Sequence, residues 1–86
     1  MWENFHGIMV NVVSAASADV LGLPGIHAEV KRTEKLSLYA AYAQAMRDAE
    51  NTVDIPTVFH RRNGKPWLVS MSLEDWAKLY WKYMNQ

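Results

Sequence analysis

Residues 26–49, IHAEVKRTEKLSLYAAYAQAMRDA, change their hydrophobic period partway along, and that change decides the architecture. IHAEVKR alternates apolar and polar residues, as a half-buried strand does. Ile26, Ala28 and Val30 fall on one face and are expected to meet the core, while His27, Glu29 and Lys31 share the other. From Ser37 the period becomes helical. Ser37 is a natural N-cap, and SLYAAYAQAMRDAE is rich in strong helix formers. Leu38, Ala41, Tyr42, Ala45 and Ala49 form an apolar stripe, with Gln44, Arg47 and Asp48 toward a different face.

Strand and helix signals continue on both sides of this stretch. GIMVNVVS (7–14) is rich in β-branched residues and reads as a strand, SAAS (14–17) as a turn, and ADVLGL (18–23) as a second short strand. Pro24-Gly25 punctuates the chain before IHAEVKR. Beyond NTVD (51–54), IPTVFHRR (55–62) is a strand, Asn63-Gly64 is a hairpin signal, and PWLVSMS (66–72) returns as its partner. SLEDWAKLYWKYM (72–84) is a second helix, with Ser72 and Asp75 spaced as in a capping box and Trp76, Leu79, Tyr80 and Tyr83 as its apolar stripe. The expected order is strand-strand-strand-helix-strand-strand-helix. This is an α/β fold in one domain spanning residues 1–86, a mixed β-sheet of roughly five strands with two helices packed on it.

Composition narrows the function. Half of the 86 residues are apolar, with four Trp, four Tyr and five Met, which points to self-association, because monomers seldom leave large apolar patches bare. Net charge is zero, which excludes a strong overall field for holding nucleic acid without specificity. Basic residues nevertheless gather in KRTEK (31–35) and HRRNGK (60–65), where local patches can meet phosphates. There is no cysteine, so any metal site must use carboxylate, histidine or carbonyl ligands. No apolar stretch approaches a membrane span, and the N-terminal residues lack the basic start of a signal peptide. A cytoplasmic protein without membrane contact is the expectation.

The candidate chemistry lies in SADVLGLPGIHAEVKR (17–32). Asp19 and Glu29 on adjacent strands, with Lys31 two residues beyond Glu29, are the groups that metal-assisted phosphodiester hydrolysis requires. Carboxylates hold one or two Mg²⁺ (or Mn²⁺) ions, with the Val30 carbonyl as a third ligand, and lysine orients water or stabilises developing charge. By spacing alone, a surface hairpin with charges on its solvent side explains D-x9-ExK somewhat better. His27 is open to three readings: metal ligand, proton carrier, or a strand residue at the rim of a site. Trp76, Tyr80, Trp81 and Tyr83 read either as a base-stacking platform or as core or dimer interface.

ADVLGLPGIHAEVKRTEKLSLYAAYAQAMRDA, followed by IPTVFHRRNGKPWLVSMSLEDWAKLY, resembles the small phage-type Holliday junction resolvase-like members of the PD-(D/E)xK nuclease superfamily. The resemblance runs from about Ala18 to Tyr80 and takes in EVKR, the AQAMRDA helix, FHRRN and the W-L-V strand in that order. It implies a restriction-endonuclease-like core and a Mg²⁺- or Mn²⁺-dependent endonuclease acting on DNA, including branched DNA such as Holliday junctions. It also implies a homodimer, in a phage or prophage setting.

Residue by residue, Asp19 matches the family's metal-binding acid, Glu29 its second acid, Lys31 its catalytic lysine and Gln44 its helix glutamine. For Gln44 a solvated helix position is the alternative. Arg32, His60, Arg61 and Arg62 match basic positions that contact DNA phosphates, the alternative being a solvated strand end beside a turn. Where the family has an N-terminal helix with another Glu and a basic segment, this chain reads MWENFHGIMVNVVSAAS, with Glu3 as the one available acid. A nuclease-fold module that binds DNA or assembles without cutting is therefore the second expectation.

Overall fold

The computed structural model describes residues 2–14 and 17–86, and for residues 12–14 and 17–21 the backbone alone. Its elements are β1 (Trp2–Phe5), β2 (Ile8–Ser14), β3 (Ser17–Leu21), β4 (Ile26–Arg32), α1 (Leu38–Ala49), β5 (Ile55–Arg61), β6 (Leu68–Ser70) and α2 (Leu73–Met84). The chain is thus α/β with two helices, as read from the sequence. Its strands divide into two three-stranded sheets, β1-β2-β3 and β4-β5-β6, where one sheet was expected. The additional strand is β1. Phe5 pairs with Ile8 across a two-residue turn in which His6 and Gly7 both have positive φ, 52° and 95°. Two consecutive left-handed residues match the right-handed twist of a hairpin.

The second sheet is mixed. β4 and β5 run parallel, Ile26 opposite Ile55 through Arg32 opposite Arg61, and β6 joins β5 antiparallel. Parallel neighbours cannot be joined by a tight turn, and α1 supplies the crossover. It packs on β4 and β5 through Ala41, Ala45 and Ala49, all buried and spaced four apart, so the helix backbone approaches the sheet closely. Beneath it Val58 is fully buried. The helix ends at Ala49: Glu50 leaves the helical region with ψ 141°, and Asn51 follows in the left-handed conformation (φ 68°).

The opposite face of this sheet is covered by the first one. Val30 and Phe59 pack with Val10 of β2, and Ile8, Leu23, Ala28 and Trp67 close round them. The Glu3 carboxylate accepts a hydrogen bond from the Trp67 indole and lies 3.4 Å from Arg61 Nη1, tying β1 to both ends of the β5–β6 connection. α2 differs from α1. Ser72 Oγ caps it by accepting from the Asp75 amide at 3.0 Å, as the sequence predicts, yet none of its residues is buried. Among the described residues no helix is long and apolar enough to cross a membrane.

Gly22, just after β3, has φ 88°, and a side chain there would collide with the Gly7 carbonyl. Gly22→Ala is expected to cost at least about 1–2 kcal/mol from the left-handed backbone alone, before the collision is counted. Urea unfolding followed by circular dichroism checks this. Unchanged stability would mean that the two turns are not in contact.

Candidate active site

Partners in a parallel ladder share a face, so β4 and β5 sort their side chains together. Val30 and Phe59 turn to the first sheet, while His27, Glu29 and Lys31 lie on the α1 side with Val58 and His60. This is the division that the alternation in IHAEVKR predicts. Glu29 is largely covered, its side chain 17% exposed, and Lys31 Nζ stands 3.4 Å from Glu29 Oε1. At the other end of the strand His27 Nε2 is 3.9 Å from Oδ2 of Asp48 on α1. Gln44, one helical turn before Asp48, is half-buried on the same flank.

Asp48 is the member of this group that helical periodicity assigns elsewhere. α1 lies over β5 as well as β4, so its flank overhangs the edge strand and carries Asp48 to His27. The signal that could have found it is the i, i+4 step from Gln44, which puts both residues on one flank.

Backbone direction adds a further ligand type. The Ile55 amide donates to the Gly25 carbonyl at 2.9 Å and the Thr33 amide to the Arg61 carbonyl at 3.2 Å, which fixes the phase of the ladder. Polar groups of residues 25, 27, 29, 31 and 33 point to β5, so those of Val30 point to the opposite edge of β4. β3, the strand carrying Asp19, borders β4, and Asp19 pairs with Asn11 of β2. The Asp19 side chain lies outside the described residues. Glu29 carboxylate and Val30 carbonyl are hard oxygen donors of the kind that Mg²⁺ and Mn²⁺ take, so these two ligands fit the ion that the sequence implies.

The two basic clusters meet at the C-terminal ends of β4 and β5. Arg32 Nη2 donates to Asn63 Oδ1 at 3.2 Å, and the Asn63 amide donates to Glu34 Oε1 at 2.8 Å, so loop 33–37 is stitched to turn 62–65. Arg32, Lys35, Arg62 and Lys65 are all exposed on this rim. Arg61 and His60, expected beside them as phosphate contacts, are engaged elsewhere. Arg61 turns to the first sheet and Glu3, and its Nε is buried without a hydrogen-bond partner among the described residues. The same contact holds Glu3 on the face opposite Glu29. His60 Nε2 pairs with Ser70 Oγ at 2.8 Å, and burial lowers its pKa below the ordinary histidine value. Burial thus works against the charge with which it would meet a phosphate.

No protein-family model, curated protein or solved structure matches this chain.

Because burial disfavours charged His60, the folded state takes up this proton at lower pH than the unfolded state does. The resulting stability is present above the ordinary histidine pKa and is lost as pH falls through the lowered folded value. Titration of the His60 ring by NMR is expected to show a midpoint below the ordinary histidine value. A normal midpoint for His60 would mean that its burial in the fold does not disfavour the charged ring.

Proposed function

We propose that the chain is a metal-dependent DNA endonuclease of the PD-(D/E)xK type, with a restriction-endonuclease-like core, acting on phosphodiesters including those of branched DNA. The observation that carries this reading is the Glu29–Lys31 pair, 3.4 Å apart on the α1 face of an edge strand, beside an outward-turned Val30 carbonyl. Asp19, Glu29 and the Val30 carbonyl would hold the ion. Bound Mg²⁺ or Mn²⁺ supplies charge neutralisation at the phosphate and acidifies the attacking water.

Lys31 then holds the water against phosphorus and stabilises charge on the phosphoryl oxygens as the bond to the leaving sugar oxygen breaks. Gln44, on the helix flank above, positions water or the carboxylate. The exposed rim of Arg32, Arg62, Lys35 and Lys65 is the surface for the backbone phosphates. Its neighbourhood to Glu29 and Lys31 comes from the parallel strands, whose C-terminal ends lie together.

Pairing of two copies through α2 completes the proposal. Leu73, Trp76, Tyr80 and Tyr83 recur at spacings of three, four and three, which is the seam of a two-helix contact. Trp76 and Tyr80 are already stacked, with ring centroids 5.3 Å apart. Glu74 and Asp75 occupy the first turn and Lys82 the last, so an antiparallel α2 from a second copy brings the acidic first turn of each helix to the Lys82 end of the other. Trp76→Glu with Tyr80→Glu is expected to halve the mass seen by light scattering. A wild-type particle of single-chain mass at every soluble concentration sinks the pairing.

Cleavage is tested on duplex, flap and four-way DNA with Mg²⁺ or Mn²⁺. Lys31→Ala is expected to lower the rate by about 10²–10³-fold, and Asp19→Asn and Glu29→Gln to abolish metal-dependent cutting. Arg62→Ala and Lys65→Ala should each reduce the salt slope of DNA binding by about one. Junction binding without any cutting, indifferent to Asp19→Asn, would replace the nuclease with a DNA-binding module. Cutting that survives Lys31→Ala would move the chemistry elsewhere.

A further inference from the structure

We propose that His27, Glu29 and Asp48 form a second metal site, selective for a borderline dication of the Zn²⁺ class. One donor atom from each of the three lies within 4.8 Å of the others, and the His27 Nε2 to Asp48 Oδ2 separation is 3.9 Å. Bonds of about 2.0–2.1 Å to a tetrahedral ion put ligand atoms roughly 3.3–3.4 Å apart. Closing the present arrangement needs displacements on the order of one ångström, within reach of carboxylate and imidazole rotation.

The scaffold limits that adjustment to side chains. His27 and Glu29 are two residues apart on one face of β4, whose backbone is laddered to β5. Asp48 is fixed by its neighbour Ala49 and by Ala45, both buried against the sheet. The His27 and Asp48 side chains remain 32% and 49% exposed, which leaves an entry path and an open fourth position for water.

Ligand chemistry separates this site from the one built on Val30. An imidazole nitrogen favours Zn²⁺, Co²⁺ and Ni²⁺ over Mg²⁺, which takes oxygen donors. Two carboxylates and a neutral imidazole also balance the charge of the ion. Glu29 belongs to both sets, so a metal on His27 and Asp48 withdraws its carboxylate from Lys31. Zn²⁺ is then an antagonist of Mg²⁺-dependent cutting, a consequence that rests on the nuclease reading. The site itself does not.

Calorimetric titration of the purified chain with ZnCl₂ tests the site directly, with visible absorption of the Co²⁺ form reporting coordination. One ion per chain is expected. His27→Ala and Asp48→Asn should each weaken Zn²⁺ by about tenfold or more while leaving Mg²⁺ binding unchanged, and His6→Ala should do neither. Circular dichroism of each variant controls for folding. Failure of wild type to bind Zn²⁺, or binding unchanged in both His27→Ala and Asp48→Asn, overturns the proposal. Zn²⁺ binding through these residues in a chain that cuts no DNA would keep the site and refute the nuclease.

Discussion

The parallel pairing of β4 with β5 is the constraint from which most of the molecule follows. Two parallel neighbours demand a long crossover, and here α1 and its loops provide it. The crossover must then pack on the pair it connects. Ala41, Ala45 and Ala49 let it do so at close range, and Val58 disappears beneath it. Because the helix spans both strands, positions on the α1 side of edge strand β4 lie at its margin, where Glu29 and Lys31 can be half-covered without losing access to water. Parallel direction has a second effect. It brings both strand ends to one side, so basic clusters nearly thirty residues apart in sequence become one rim, joined through Asn63.

On the other side, alternation separates residues that look equivalent in sequence. Arg61 and Arg62 are adjacent, yet Arg61 is the last residue of β5 and shares the face of Phe59, so it is drawn under the first sheet to Glu3. Arg62 lies beyond the strand and stays exposed. The Glu3 carboxylate thereby becomes a structural anchor with two donors, the Trp67 indole and the Arg61 guanidinium. A largely covered guanidinium without a carboxylate is costly, so the two residues are coupled in their contribution to stability.

Elements with a sustained period were legible in the sequence. IHAEVKR, the α1 segment and the Ser72-capped α2 follow from alternation, helix formers and capping, with ends within a residue or two of those found. β1 was not legible, because WENF is short and has no β-branched residue, and its turn needs a histidine in a left-handed conformation that few side chains adopt. The Asn63-Gly64 signal marked a real turn, with the Lys65 amide donating to the Arg62 carbonyl at 3.1 Å, though it sits in a longer connection than a tight hairpin. For the site, periodicity grouped Glu29 with Lys31 and His27. It put Asp48 on the flank of Gln44 but could not carry that flank to His27, since which flank of a helix overhangs a strand is decided by tertiary packing. The division of labour among Arg32, His60, Arg61 and Arg62 depended likewise on what covers each face.

α2 shows where the constraint of size is felt. A helix of 12 residues is marginal in water unless something packs on it, and its local supports are small: the Ser72 cap, first-turn acids, and the Glu74–Lys78 pair at 3.7 Å. Each contributes from a few tenths to about 1 kcal/mol. Trp76 is 52% exposed, Tyr80 50% and Tyr83 66%, so the residues best able to stabilise the helix gain little from its own chain. Such a stripe on an otherwise polar helix is a surface that gains from being covered.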